Sequence, residues 1–123
     1  MSQLYRVSNQ SRALQKPLVL KECASFWNKA RGLSWRFPIA EEQGILLVAN
    51  KVGRQETAIH MLGVFFHLTV VWLDEDYKVV DAQKAYAWRS FLFPQNAAKY
   101  VLECRLARFE EFRPGDQLAL ETL

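Results

Sequence analysis

The chain has 123 residues, half of them hydrophobic and 24% charged, with a formal net charge of +3. That length suits one domain over residues 1–123, and the composition excludes a disordered chain. The longest apolar stretch, around residues 64–73, is interrupted by His67 and Thr69 and falls short of the roughly 20 residues a membrane-spanning helix needs.

Leu4–Val7 and Leu18–Leu20 read as short strands joined by the polar connection Ser8–Lys16. Over residues 22–31, Cys23, Phe26, Trp27 and Ala30 recur at helical spacing. Lys29 and Arg31 lie near the end, and Gly32 follows as a stop. This predicts a helix with its stripe in the core. Pro38 and Glu41-Glu42-Gln43-Gly44 mark a loop before Ile45–Ala49, a short β-branched run that predicts a buried strand. Lys51–Glu56 reads as a loop, and Thr57–Met61 as a strand broken at Gly63.

Phe66–Leu73 carries the strongest strand signal, almost wholly apolar and rich in aromatic and β-branched residues. Asp74-Glu75-Asp76-Tyr77 is a polar turn, and Lys78–Ala82 returns to complete a hairpin that extends towards Trp88. Phe91–Phe93 leads into a turn or edge at Pro94. Tyr100–Leu106 is a strand, Arg108–Phe112 a helical turn, and Leu118–Leu120 a last short strand. The sum is an α+β domain, mostly β: a small curved sheet or barrel-like core of about seven or eight strands with one clear helix near residues 22–31.

The order of these motifs resembles the domain-of-unknown-function 192 family. It is carried by Ala30-Arg31-Gly32-Leu33, Gly44-Ile45-Leu46-Leu47-Val48, His60-Met61, Leu73-Asp74, Tyr100-Val101-Leu102-Glu103 and Gly115-Asp116, in that succession. The resemblance runs from about residue 18 to residue 120, leaving 1–17 as an N-terminal extension. It implies a compact β-rich fold with one early helix, and no chemistry. Many members carry Trp-Met-Lys-Asn-Thr and Pro-Leu-Asp where this chain has His60-Met61-Leu62-Gly63-Val64 and His67-Leu68-Thr69. The polar Asn and Asp of that pattern are therefore Gly63 and Thr69. Arg31, Gly32, Gly44, Met61, Leu68, Glu103, Gly115 and Asp116 match.

The start of the chain lacks the apolar stretch of a secretory signal, which points to the cytoplasm. Cys23 and Cys104, far apart and without metal-ligand spacing, fit two reduced core thiols. His60 and His67 alone are too few ligands for zinc, so no metal or other cofactor is expected. No Gly-x-Ser-x-Gly elbow and no phosphate-binding glycine loop is present.

The candidate pocket is His60, His67, Arg89, Glu103 and Asp116. Glu103 can pair with Arg31 or Arg89, and Asp116 after Gly115 suits a turn-stabilising hydrogen bond. Trp35, Tyr86 and Trp88, beside Arg36 and Arg89, can stack on a ring or cap the open end of a barrel. Three functions follow. The first is a non-catalytic binding or accessory domain. The second is a small enzyme using His60, His67 and Glu103. The third is a nucleic-acid or anion binder through residues 1–40, where seven basic side chains face one acidic. A protein partner is compatible with the first.

Overall fold

The structure, a computed structural model, describes residues 3–23, 40–61, 66–87 and 91–123, apart from the side chains of Cys23 and His60. Among the described residues nine strands follow in order: β1 (Leu4–Asn9), β2 (Val19–Cys23), β3 (Gln43–Gly53), β4 (Ile59–His60), β5 (Leu68–Leu73), β6 (Val79–Ala85), β7 (Phe91–Leu92), β8 (Ala98–Arg105) and β9 (Leu118–Thr122). A 3-10 helix, Leu106–Glu111, joins β8 to β9. Seven strands form one sheet in the order β6-β5-β8-β3-β2-β1-β9, and β4 pairs with β7 in a second, two-stranded sheet.

The large sheet curls until its two edges meet at one end. Lys78 bridges Gln117. Around that bridge Val79 N–H donates to Asp116 O (2.8 Å), Gly115 N–H to Val79 O (2.8 Å) and Leu118 N–H to Tyr77 O (3.1 Å). The result is a half-barrel, which hides part of two strand edges that would otherwise expose unpaired backbone.

Alternation along the strands builds two cores. The inner core takes Val7, Leu20, Leu46, Leu73, Leu102 and Leu118 among others, so every curled strand contributes to it. The outer core stands on the central strands through Ile45, Leu47, Val70, Trp72 and Val101. It is covered by Ile59 and Met61, with Leu92 packed against it. β5 has both faces covered and is buried at all six positions, as a continuous apolar run requires. The cover is fastened by Trp72, whose Nε1–H donates to Thr57 O at 2.6 Å.

Gly44 lies where β3 passes closest to its neighbours. A Cβ there would sit 2.6 Å from Glu103 O and 2.8 Å from Leu20 Cδ2. Only glycine permits that approach.

Several expectations change. Glu22 and Cys23 end a strand rather than begin a helix, because β2 runs parallel to β3 in the register Glu22–Leu46 and Cys23–Leu47. Ladder pairing with a distant strand outweighs local periodicity there. The rest of the expected helix lies outside the described residues. The strand expected at Ile45–Ala49 runs on to Gly53, taking in part of the expected loop Lys51–Glu56. Gly53 pairs with Ala98 after an irregularity beyond Val48. Residues before 18 are no mere extension, since β1 pairs with both β2 and β9.

Candidate functional site

Glu103 is completely buried in mid-sheet, between Ile45 of β3 and Val70 of β5. Those neighbours place it on the outer-core face, the side covered by β4. Asp116 lies on the other side. Its carboxylate is bonded to Asn9, which shares the inner face with Val7. The sheet therefore separates these two candidates. His67 is exposed. It accepts a hydrogen bond at Nδ1 from Ala87 N–H (2.9 Å) and meets the Tyr86 ring edge-on at 5.2 Å. It precedes Val70, the strand neighbour of Glu103, by three residues, a separation of about 10 Å at strand rise. The His60 side chain and Arg89 lie outside the described residues.

Asp116 Oδ2 accepts from Arg12 Nε (2.7 Å), Asn9 Nδ2 (2.9 Å) and Arg113 N–H (3.0 Å), and Oδ1 from Arg12 NH2 (2.8 Å). The bidentate Arg12 guanidinium is the main cause that holds this carboxyl down at about 2. Beside it, Arg108 is almost fully buried and its fork is filled. Nε and NH2 clasp Glu111 (2.7 and 2.9 Å). NH1 reaches Pro17 O and Glu41 O (both 2.8 Å), and NH2 reaches Lys16 O (2.5 Å). Cys104 faces this end of the inner core, and burial pushes its thiol up to about 12. These are fastenings, and neither Asp116 nor Cys104 exchanges a proton near neutral pH.

Among the described residues, three of the N-terminal cations are paired with carboxylates. Arg6 faces Glu121 at 3.7 Å, Arg12 holds Asp116, and Lys16 pairs with Glu41.

A partly exposed cluster beside the sheet closure is built differently. Tyr5 on β1, Glu22 on β2, Tyr100 on β8 and Tyr77 in the β5–β6 turn gather above the inner core. Tyr5 O–H donates to Glu22 Oε1 at 2.7 Å. The rings of Tyr77 and Tyr100 lie 5.0 Å apart, tilted by 46°. The bond to Glu22, followed by burial, raises the Tyr5 hydroxyl to about 12. Burial, followed by the nearby Tyr77 hydroxyl, raises that of Tyr100.

Tyr77 has φ 65°, the one positive φ at a non-glycine among the described residues. Its turn is held by Tyr77 N–H to Asp74 O (3.1 Å) and by Asp74 Oδ1, which accepts from Asp76 and Lys78 N–H (2.9 Å each). Glycine is the usual residue at such a left-handed hairpin position, and a side chain there costs roughly 1 kcal/mol. Sequence reasoning missed this cluster because its members come from four segments. The available signal was a tyrosine where turn chemistry prefers glycine.

With this geometry in view, the sequence profile of the domain-of-unknown-function 192 family, described as "Uncharacterized ACR", matches residues 7–120. The chain belongs to this family. A UPF0127 protein of Thermococcus kodakarensis is 29% identical over 111 residues, covering 75% of this chain and 70% of that protein. A UPF0127 protein of Pyrococcus horikoshii is 25% identical over 114 residues, 91% and 96% of the two chains. In fold, the chain is similar to a provisionally assigned transcription regulator of Sinorhizobium meliloti, known from its crystal structure. The TM-score is 0.82 at 17% identity, over 98% of this chain and 94% of the other. At that identity the likeness concerns the fold alone. No helix among the described residues is long and apolar enough to cross a membrane.

Proposed function

We propose that this member of the family is a non-catalytic binding domain whose ligand site is the tyrosine-lined end of the half-barrel. The observation that carries the reading is the convergence of Tyr5, Tyr77, Tyr100 and Glu22 at a partly exposed end, one of them held at a backbone angle that costs stability. Backbone strain concentrates where function requires it, and the mouths of barrels are preferred ligand sites. The Asp116 carboxylate and the Arg108 guanidinium, by contrast, are occupied in holding loops together.

A thermal-shift panel of metabolites, nucleotides, divalent metals and short oligonucleotides tests the reading. A ligand at about 100 times its Kd adds roughly 2.7 kcal/mol, a shift of several degrees for a domain of this size. The expected result is a stabilising ligand whose effect disappears in Tyr77→Gly. A panel without a stabilising ligand, or a hit unaffected by that substitution, contradicts it.

An enzyme acting through His60, His67 and Glu103 is the second reading. It draws on the complete burial of Glu103 beneath β4, the strand that carries His60. Turnover lost in Glu103→Gln, with the fold intact, would favour it.

A further inference from the structure

We propose that the partly exposed cluster of Tyr5, Tyr77, Tyr100 and Glu22 above the inner core takes an organic cation of the alkylammonium class. This inference rests on the binding reading above and specifies its ligand.

Three observations define the chemistry. The first is the wall. Three phenol rings rise from a floor that includes Leu20, Leu73 and Leu102, all fully buried. Aromatic faces attract a cation through their quadrupole, most strongly when the cation is poorly hydrated, as a methylated ammonium is. The second is the sign of the charge. Glu22 is bonded directly to Tyr5, and the charged groups that act most on Tyr5 and Tyr100 are Glu22 and Glu75. The turn carrying Tyr77 reads Asp74-Glu75-Asp76. A phosphate or carboxylate ligand would meet repulsion here, whereas a cation is attracted.

The third is pre-organisation. The β5–β6 turn holds Tyr77 at φ 65° against Tyr100. Glycine would relieve the backbone, so the ring has a use that offsets the strain. A cage whose rings are fixed before binding avoids the cost of ordering them.

The test is an NMR titration of the full chain with choline and, separately, with 3,3-dimethyl-1-butanol, its uncharged isostere. Choline is expected to shift resonances of Tyr5, Tyr77 and Tyr100 and to bind about tenfold more tightly than the isostere, as a cation–π contribution of about 1–2 kcal/mol requires. Glu22→Gln keeps an acceptor for Tyr5 O–H and should weaken choline several-fold without affecting the isostere. Tyr77→Gly, which relieves the backbone, should weaken choline about tenfold in a folded protein. Equal affinity for choline and the isostere, or no response to choline, overturns the cation assignment. In either case a different panel ligand that shifts the same tyrosines leaves the binding reading standing. Ligands that shift only other residues remove both.

Discussion

At Asp116 a single side chain ties the start of the chain to its end, through Arg12 and Asn9 on one side and Arg113 on the other. Its folded pKa of about 2 lies below the ordinary 3.8. A carboxyl depressed on folding stabilises the protein above its unfolded value, and that stability is lost as pH falls from about 4 through about 2. The expected contribution at neutral pH is roughly 2 kcal/mol. Asp116→Asn should lower the urea midpoint at pH 7 and flatten the stability profile between pH 4 and 2. An unchanged profile would show that the clasp does not contribute. Gly44 makes a steric demand instead. Gly44→Ala drives a methyl into the Glu103 carbonyl and should cost roughly 1–3 kcal/mol in chemical denaturation.

Between elements, the bond from Trp72 to the Thr57 carbonyl fastens β4 to the large sheet. Trp72→Phe leaves that buried carbonyl without its donor and should cost about 1–3 kcal/mol. Amide exchange should quicken at Ile59 and Met61 before β8 is affected. Uniform loss of protection would argue against a separately fastened cover. The element scale also shows what the sequence reveals. β5 is legible because a run buried on both faces has one local signature. The hairpin turn is legible from Asp74-Glu75-Asp76. β2 is not, because Glu22 and Cys23 fit a helical stripe and only the parallel ladder with Leu46 and Leu47 overrides it. The polar end of β3 is missed for the same reason, as Gly53 is fixed by Ala98, far along the chain. Glu103 and Asp116 stand out as single carboxylates, yet Arg12, which clasps Asp116, and Lys16, whose carbonyl receives Arg108, lie about a hundred residues away. No local pattern reaches that far.

For the whole molecule, curling is what brings the two edges of the large sheet together. Closure through Lys78–Gln117 fastens them, with Val79 N–H donating to Asp116 O beside the bridge. Tyr77 belongs to that closure and, with Tyr5 and Tyr100, stays partly exposed, while β4 and β7 cover the sheet's outer face. The central claim is that ligand enters at the tyrosine end. The most direct test is to map amide shift changes on the full chain with the strongest stabilising ligand from the thermal panel. Changes concentrated at Tyr5, Glu22, Leu73, Tyr77 and Tyr100 are predicted. Changes confined to His67, Tyr86 and Phe93, with the tyrosine end silent, would contradict the account.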